Sequence, residues 1–379
     1  MTRIKADWLH DADVQTLCRV FADAGHQIWF VGGCVRNALI GAPVSDLDLS
    51  TTARPDVSMQ LAADAGLKVI PTGIDHGTVT VVVGDTPFEI TTFRKDIATD
   101  GRRAVVTYAN TMAEDALRRD FTMNALYADA DGMIADPLGG LPDLHARRVR
   151  FIEDPDQRIK EDYLRILRFF RFHAWYGDAD AGIDAEGLAA CAANVDGIEK
   201  LSRERLRQEM LKLLAAPNPA PAVAAFAASG GLMRVVPGAV AEGLAVLVHV
   251  EEMAVLEPHS LRRLAMLGGV DIAERLRLSK KETRALDVLQ SVMSPAEVSF
   301  RHGAALGVDK LAIEAASLGQ EIDPKQREFV VNAAGQTFPL IAADLMPEVK
   351  GAALGQALKE AEVRWIASGF VLTKEELLG

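Results

Sequence analysis

The spacing of apolar residues changes along the chain. Residues 12–25 alternate like an amphipathic helix, and residues 27–33 (QIWFVGG) form a buried strand that ends in a double glycine. Residues 45–51 (SDLDLST) alternate as a second strand, and residues 76–94 contain two apolar runs that fold back at a GDTP turn. We therefore expect a mixed α/β unit, built around a small sheet, over about the first 140 residues.

The rest of the chain has helical periodicity. No segment after residue 155 alternates convincingly as a strand, whereas residues 158–176 and 202–216 have the spacing of helices. The stretch 216–222 (APNPAPA) is rich in proline and marks a natural boundary. Helices are expected to resume after it and to continue to residue 379.

The composition is that of an ordinary globular protein. About half of the 379 residues are hydrophobic and a quarter are charged. The three cysteines are scattered, without the spacing of a metal site or a disulfide framework, as is usual in a reducing compartment. There is no apolar leader and no apolar run long enough to span a bilayer. We expect a cytoplasmic protein without a membrane partner.

The net charge of −12 conceals an uneven distribution. Arginines crowd between residues 94 and 212, whereas the stretch after about residue 305 carries more acid than base. A basic first half could bind a polyanion even on an acidic chain. The alternative is that these charges are solvated helix faces, and the charge pattern alone favours that alternative.

Two aspartates, Asp46 and Asp48, are separated by one residue within the second predicted strand. On a strand they would share a face, with Cα atoms about 6.5 Å apart, and could hold Mg²⁺ ions that also bind phosphate oxygens. Glu89, in PFEITTFR, points away from the apolar face of its own strand. If that strand pairs beside the one with the aspartates, the three acids converge. Taken alone, D-x-D is more typical of an exposed turn.

A glycine turn precedes these acids. Gly32 and Gly33 separate a strand from a helix, an arrangement whose backbone N–H groups can bind an anion. Arg36 lies one turn into that helix and could reach a triphosphate. The alternative is a tight turn with a surface arginine. Neither a Walker loop nor a G-x-G-x-x-G motif is present.

Charged residues recur at a spacing of three in KEDYLRILRFFRF. Asp162, Arg165, Arg168 and Arg171 would lie on one flank of a helix. An aspartate and an arginine one turn apart present acceptors and donors that could pair with the edge of a nucleobase. The alternative, favoured without further context, is a salt bridge between Asp162 and Arg165.

Five segments, taken together and in order, resemble class II tRNA nucleotidyltransferases and bacterial poly(A) polymerases. The segments are FVGGCVRNALIG…SDLDLSTTARP, GIDHGTVTVVVGDTPFEITTFRKD…TDGRR, LRRDFTMNALY, IKEDYLRILRFFRF and LSRERLRQEMLKLL. The resemblance is strong over residues 28–212. It implies an α/β head with a DNA polymerase β-like nucleotidyltransferase sheet, followed by an all-helical neck, body and tail. We place the head at residues 1–145, the neck with its base-recognition helix at 146–216, and the RNA-binding body and tail at 217–379.

The resemblance also implies a reaction and a set of site residues. The reaction is attack of an RNA 3′-hydroxyl on the α-phosphate of CTP or ATP, with release of pyrophosphate. Asp46 and Asp48 are implied as metal ligands, with Glu89 as the third catalytic acid. The residues implied in nucleotide binding are Gly32, Gly33, Arg36, Arg119, Asp120, Asn124, Asp162, Arg165 and Arg168. Glu204 and Arg205 match a motif that supports the neck helices.

Addition of CCA to tRNA is the activity that we expect. The spelling SDLDLST is closer to CCA-adding enzymes than to poly(A) polymerases, and the chain lacks a long basic tail. The alternatives are poly(A) addition, or a partial enzyme that adds only CC or only A. The expected partners are tRNA, CTP and ATP, with no protein partner, and the expected metal is Mg²⁺, with Mn²⁺ as the alternative.

Two segments need separate expectations. The first motif usually reads G-G-x-V-R-D, but this chain has Asn37 at the last position, which keeps the hydrogen-bonding shape without the charge. We interpret that position as structural and compatible with activity. The polar stretch 95–105 flanks Glu89 and is expected to be a mobile loop; in the family, such a loop takes part in the switch from C to A addition.

Two functions of other classes stay open on the residues alone. A catalytically silent RNA-binding protein on the same scaffold would not need the intact acids. A small-molecule nucleotidyltransferase would share D-x-D, but would need neither the EDYLRILR helix nor the helical tail.

Overall fold

A computed structural model describes residues 2–71, 73–99, 104–346, 349 and 351–378. The chain divides into two compact units. The first comprises Met1–Leu213 and Pro221–Val235, and the second comprises Leu214–Ala220 and Val236–Gly379. The division into head, neck, and body with tail stays a prediction.

The strands lie in the first part of the chain. They are β1 (Ile28–Val31), β2 (Asp48–Thr51), β3 (Lys68–Ile70), β4 (Thr78–Val83), β5 (Thr86–Thr92), β6 (Arg94–Thr99), β7 (Ala104–Tyr108), β8 (Tyr127–Ala128) and β9 (Ile134–Ala135). Within the described residues, seven of them form one mixed sheet in the order β3-β4-β5-β2-β1-β8-β9. Strands β2 and β5 pair in parallel, and the other neighbours in this sheet are antiparallel. The predicted α/β head is confirmed.

Helices are interspersed with the strands along the chain up to residue 135, and among the described residues helices are the only regular elements that follow. Up to residue 235 they are α1 (Ala12–Asp23), α2 (Gly33–Ile40), α3 (Pro55–Asp64), α4 (Met112–Leu117), α5 (Leu141–His145), α6 (Pro155–Glu161), α7 (Leu164–Tyr176), α8 (Ala185–Ala193), α9 (Arg203–Leu214), α10 (Ala220–Ala228) and α11 (Gly231–Val235). Short 3-10 helices are Asp7–His10, Ile74–His76, Thr122–Asn124, Val195–Lys200 and Ala342–Leu345. Several starts follow the usual capping rules: Asp11 caps α1 through its carboxylate, and Thr111 forms a capping box with Glu114 at α4.

A row of buried phenylalanines joins an isolated β-bridge, formed by Phe121 and Phe151, to helix α7. Phe151 stacks on Phe169 of α7, with ring centroids 5.3 Å apart, and Phe121 packs against both rings. Phe121 directly follows Asp120, and the two residues beyond Phe121 lead to Asn124. This packing fixes the segment that carries Asp120 and Asn124 against α7.

Two local expectations are wrong. The helix predicted over 158–176 is broken, because Asp162 has an extended backbone (φ −153°, ψ 105°) between α6 and α7. The expected loop over 95–105 contains strand residues on both sides, since β6 and β7 pair as an antiparallel hairpin. The middle of that stretch, residues 100–103, lies outside the described residues.

The second unit contains helices from residue 242 onward. They are α12 (Glu242–Met253), α13 (Ser260–Leu267), α14 (Ile272–Arg275), α15 (Lys280–Gln290), α16 (Pro295–His302), α17 (Ala304–Ser317), α18 (Pro324–Ala333), α19 (Ala352–Ala367) and α20 (Lys374–Leu378). Its core includes a buried charge cluster in which Arg262 and Arg263 both bind Glu251. The predicted helical region is confirmed for the described residues. None of the helices described has the length and apolar character that a bilayer span requires.

Candidate active site

The turn between β1 and α2 brings a glycine and an arginine together. Gly32 has a φ of +74° and a ψ of −120°, a conformation that residues with a side chain rarely adopt. A Cβ atom on Gly32 would lie 3.5 Å from Nη1 of Arg119. Helix α2 starts at Gly33, so its first backbone N–H groups lie at the same turn. The turn therefore has the chemical elements of an anion site.

Two carboxylates lie side by side on the parallel strands β2 and β5. Asp48, the first residue of β2, is the register partner of Glu89, and both residues are exposed. This confirms that the strand carrying Glu89 pairs beside the one with Asp48. Asp46 is also exposed, but it precedes β2. The prediction that Asp46 and Asp48 lie on one strand is therefore wrong. The carboxylate of Asp46 accepts a hydrogen bond of 2.9 Å from the Ser45 hydroxyl.

The negative charges in this cluster act on Asp48. Although Asp48 is exposed, the surrounding protein atoms displace part of its water shell, and this desolvation raises its pKa above the usual value. Glu89 and Asp46 raise the pKa further by repulsion, while Arg119 acts in the opposite direction. The fold therefore keeps these three carboxylates close together although their negative charges repel one another.

The donor set fits a hard divalent cation, although the protein alone does not complete a metal site. Among the described residues, no group of three or more His, Cys, Asp or Glu side chains is arranged to hold a metal ion. Within the residues that the structure describes, the carboxylates of Asp48 and Glu89 take part in no ion pair and no hydrogen bond. Exposed, unpaired carboxylate oxygens suit Mg²⁺, which keeps several waters and takes further oxygens from substrate phosphates.

Arg119 lies between the glycine turn and this acidic cluster. Its Nη2 donates to Asp115 (3.1 Å) and to the Ser50 hydroxyl (3.4 Å), and its Nε donates to the Tyr127 hydroxyl (3.2 Å). Burial alone would lower the pKa of Arg119, but the neighbouring Tyr127 and Asp115 raise it above the usual value. The guanidinium therefore stays charged where an anion would bind.

A chain of hydrogen bonds joins α2 to α7. Arg36 donates from Nη1 to Oδ1 of Asn124 (2.5 Å), and Asn124 donates to Oδ1 of Asp120 (2.8 Å). Oδ2 of Asp120 accepts from both Nε and Nη2 of Arg168, at 2.8 and 2.5 Å. The structure thus brings four predicted nucleotide-binding residues into one network and makes them one another's partners.

Asp120 is the buried centre of this network. Burial would raise its pKa, but the Arg168 guanidinium and the Asn124 amide hold it below the usual range. Arg168 also faces Glu209 at 3.8 Å, and Glu209 accepts a hydrogen bond of 2.5 Å from Arg171. The ion pairs of Arg168 and Arg171 therefore fix which side of α7 faces Asp120.

Arg36 is not the surface arginine that one sequence interpretation allowed. It is 5% exposed, and its guanidinium lies 3.8 Å from the centroid of the Tyr176 ring. Its Nε and Nη2 both donate to Oδ1 of Asn37, at 3.1 and 2.9 Å. In this arrangement Arg36 holds its neighbours, and direct contact with a triphosphate stays a prediction.

Asn37 has the structural role that the sequence suggested. Besides accepting from Arg36, its Nδ2 donates to the carbonyl oxygen of Pro43 (2.7 Å). An aspartate could not make this second bond, because an ionised carboxylate has no donor. Asn37 therefore ties α2 to the segment that leads to Asp46.

Asp162 and Arg165 do not pair with each other. Asp162 accepts a hydrogen bond of 2.6 Å from Arg205, and it also accepts one from the backbone N–H of Leu164 (3.1 Å). Arg165 donates to Glu161 (2.5 Å) across the break between α6 and α7. The alternative of an intrahelical salt bridge is therefore excluded, and the prediction that Asp162 shares one helical flank with the arginines is wrong.

Sequence reasoning missed two residues that shape the site. Asp115 is fully buried and binds Arg119. Arg158 donates from Nη2 to the carbonyl oxygens of Arg118 and Arg119, both at 2.6 Å. Arg158 carried no usable signal, because an arginine one turn before Asp162 is typical of a solvated face. Asp115 carried only a weak one, its spacing of three and four residues from Arg118 and Arg119.

Comparison with known proteins identifies two matching segments. A family model described as "Poly A polymerase head domain" matches residues 28–150, and one described as "Probable RNA and SrmB- binding site of polymerase A" matches residues 182–241. The mitochondrial CCA tRNA nucleotidyltransferase 1 of Homo sapiens is 40% identical over 202 residues, which is 53% of this chain and 46% of that protein. The CCA-adding enzyme of Geobacillus thermodenitrificans is 40% identical over 221 residues, 58% of this chain and 53% of that enzyme.

Solved structures extend the likeness along the whole chain. The Bacillus stearothermophilus CCA-adding enzyme in complex with CTP superimposes with a TM-score of 0.70 at 25% identity, covering 97% of this chain and 95% of that one. The Thermotoga maritima CCA-adding enzyme complexed with tRNA-CCA has a TM-score of 0.69 at 19% identity, covering 100% and 98%; at that identity it shows the fold alone. The alignments span about half the length of the curated relatives.

Proposed function

Because the chain belongs to the family of class II tRNA nucleotidyltransferases and bacterial poly(A) polymerases, we propose that it adds CCA to the 3′ end of tRNA. The nucleotides come from CTP and ATP, no nucleic-acid template is used, and each addition is a two-metal nucleotidyl transfer that releases pyrophosphate. One observation carries the proposal. Asp48 and Glu89 are exposed register partners whose carboxylates form no ion pair among the described residues, and Arg119, which acts on Asp48, also faces the glycine turn.

The acids provide the metal site in this proposal. Asp46 and Asp48 would hold Mg²⁺ or Mn²⁺, with Glu89 beside them as the third acid. The chemistry that the metal supplies when bound is activation of the attacking hydroxyl and neutralisation of charge on the phosphate. The raised pKa of Asp48 supports this assignment, because a bound cation would offset both the desolvation and the repulsion by Glu89 and Asp46 that raise it.

The glycine turn and Arg119 would receive the triphosphate. Gly32 and Gly33 allow phosphate oxygens to approach the backbone, and the Arg119 guanidinium neutralises their charge. Phosphoryl transfer needs little covalent chemistry from a protein, so positioning and charge neutralisation account for most of its contribution.

The network from α2 to α7 would hold the nucleoside. Asp120, Asn124 and Arg168 are fixed by one another, and Arg36 anchors them to the helix that starts at the glycine turn. A nucleotide whose phosphates lie at the turn would therefore find its sugar and base next to rigid polar groups.

Asp162 and Arg165 would select the base. Both are partly buried beside the break between α6 and α7, and Arg205 fixes the carboxylate of Asp162. Their acceptor and donor atoms could pair with a cytosine or an adenine edge in place of a nucleic-acid strand.

Product analysis tests the proposal. A tRNA lacking its 3′ CCA is incubated with the protein, Mg²⁺ and labelled CTP, ATP or both, and the products are separated at single-nucleotide resolution. We expect two C residues with CTP alone and CCA with both nucleotides. A ladder of A residues from ATP alone would instead identify a poly(A) polymerase. With both nucleotides present, products that stop at CC or contain only A would identify a partial enzyme, and no product would contradict the proposal.

A further inference from the structure

Asp115 is a buried carboxylate surrounded by donors. It lies on α4 with no exposed surface. Its oxygens accept hydrogen bonds from Nε of Arg118 (2.8 Å), Nη2 of Arg119 (3.1 Å), the Tyr127 hydroxyl (2.7 Å) and the backbone N–H of Arg94 (3.2 Å). A buried carboxylate is tolerated only when its lone pairs are satisfied in this way.

The start of α4 fixes the direction of this carboxylate. Thr111 and Glu114 form a reciprocal capping box, so the first turn of the helix has a defined orientation. Glu114 lies on the outer face and forms an ion pair of 3.2 Å with Lys95, whereas Asp115, the next residue, points inward. Two adjacent acids therefore occupy opposite environments on the same short helix.

Arg119 divides its donors between two sides. Nη2 and Nε are held by Asp115, Ser50 and Tyr127. Nη1 has no hydrogen-bond acceptor among the described residues, and it lies 3.5 Å from the position of a Cβ atom on Gly32. One edge of the guanidinium is thus anchored, and the other faces the glycine turn.

We propose that Asp115 is a positioning residue for nucleotide transfer, which anchors Arg119 so that Nη1 faces the turn at Gly32, where the triphosphate of the incoming nucleotide binds. This inference rests on the proposed function. Asp115 touches neither substrate nor metal; it acts by fixing Arg119, whose Nη1 faces the turn. The planar guanidinium has a useful donor edge only when its opposite edge is held.

The competing explanation is a purely structural clasp. In that case Asp115 joins α4 to the sheet through Arg118 and Tyr127, and its loss lowers stability without acting through Arg119. The two explanations predict different coupling between Asp115 and Arg119, which a double-mutant cycle measures.

The test begins with Asp115→Asn, which keeps the shape and removes the charge. Glu114→Gln is the matched control, since it neutralises the adjacent acid while glutamine still serves the capping box. For transfer to tRNA lacking CCA we expect Asp115→Asn to lower kcat/KM for CTP by about 10- to 100-fold, because a small displacement of a positioned group has effects of that size. Glu114→Gln should stay within about threefold of the wild type.

The cycle adds Arg119→Ala and the double variant. If Asp115 acts through Arg119, the double variant should transfer no more slowly than Arg119→Ala alone, within about twofold. Losses that multiply would show that Asp115 acts independently, and would overturn the inference. Equal activity of Asp115→Asn and the wild type would overturn it as well.

A binding measurement separates this inference from the proposed function. Inorganic tripolyphosphate is titrated calorimetrically into the full-length protein with Mg²⁺ and without RNA. We expect binding by the wild type and Glu114→Gln, and about tenfold weaker binding by both Asp115→Asn and Arg119→Ala. This result would support the anchored guanidinium even if the wild type transferred no nucleotide to tRNA. Absence of wild-type binding, or unchanged binding in Asp115→Asn, would overturn the inference even in an active enzyme.

Discussion

The carboxylates of the first unit fall into two groups with opposite electrostatics. Asp48 and Glu89 are exposed neighbours on parallel strands, and neither forms an ion pair among the described residues, although Arg119 partly offsets the repulsion on Asp48. Asp115 and Asp120 are buried and are surrounded by arginines and other donors. The pKa of Asp48 is raised, whereas arginines lower the pKa of Asp115 to about 2 despite its burial.

The contrast separates carboxylates that stabilise the folded protein from carboxylates that destabilise it. A carboxylate with a lowered pKa stabilises the folded protein at neutral pH, and one with a raised pKa destabilises it. Repulsion that a neighbouring cation only partly offsets is common at functional sites. We therefore infer that the exposed pair acts on a ligand and that the buried pair positions the protein's own cations.

The largest expected effect is on the exposed side of this comparison. Asp46→Ala should lower single-turnover transfer of CMP to tRNA by at least about 10²- to 10³-fold, since it removes charge stabilisation at the reacting phosphate. Binding of tRNA, measured by filter retention, should change by less than about threefold, because affinity for nucleic acid comes mainly from contacts of basic residues with phosphates and the proposal gives Asp46 no such contact.

Asp85→Ala is the control for this variant. Asp85 is an exposed aspartate in the turn between β4 and β5 of the same sheet. The Asp85→Ala variant should transfer CMP at the wild-type rate. Retained transfer by Asp46→Ala would remove Asp46 from the metal site.

The next largest effect should come from the buried side. Asp120→Asn leaves Arg168 with a neutral partner and should lower the free energy of unfolding by about 2 to 3 kcal/mol. It should also lower kcat/KM for both CTP and ATP by about tenfold or more, because the network next to the nucleoside is disturbed. Urea unfolding and steady-state kinetics measure the two effects.

Asp184→Asn separates stability from activity. Asp184 is also buried, binds Arg148 at 2.5 Å and caps α8 through Gly187. Because Arg148 is half exposed, this variant should lose about 1 kcal/mol of stability, less than Asp120→Asn, and it should keep its activity. If both variants lose activity in proportion to their stability, Asp120 has no special place in the site.

A smaller effect should appear in the dependence of stability on pH. Because the pKa of Asp115 is lowered from 3.8 to about 2, its contribution is fully present above about pH 4 and is lost as the pH falls through about 2. This contribution is roughly 2 kcal/mol. Asp115→Asn should therefore be less stable than the wild type at pH 7, and the difference should shrink toward pH 2. A difference that stays constant over this range would show that charge is not the cause.

The smallest effect is expected at the position that departs from the family motif. Asn37→Asp gains an ionic contact with Arg36 but loses the hydrogen bond to Pro43. These changes oppose each other, and each is about 1 kcal/mol. Stability should change by less than about 1 kcal/mol and activity by less than about threefold. A loss of activity beyond tenfold would show that the amide is required rather than tolerated.

Much of the head could be predicted because its local and long-range signals agree. The apolar run before Gly32, the alternation around Leu49 and the turn at Gly84-Asp85 each specify one element, and the strands they predict are present. Alternation predicted that Glu89 points away from the apolar face of its strand, but it left open whether that strand pairs with β2. In the observed register the buried residues Leu49 and Ile90 are partners as well.

The wrong predictions arise where tertiary contacts override local pattern. The arginine spacing from 165 to 171 is helical, but Asp162 is held in an extended conformation and binds Arg205, which is 43 residues away. Periodicity cannot detect such a partner. Asp115 was missed partly for the same reason, because two of its donors, Arg94 and Tyr127, come from separate strands, and its neighbour Glu114 is a partly exposed acid.

The most direct test measures stability and transfer in one variant, Asp48→Asn. The substitution removes the charge that Glu89 and Asp46 repel, so the account predicts an unfolding free energy at pH 7 equal to or above that of the wild type. Transfer of CMP to tRNA lacking CCA should fall by at least about 10²-fold in the same preparation. Transfer at the wild-type rate, or a loss of transfer explained by a matching loss of stability, would contradict the claim that these exposed acids are retained for catalysis.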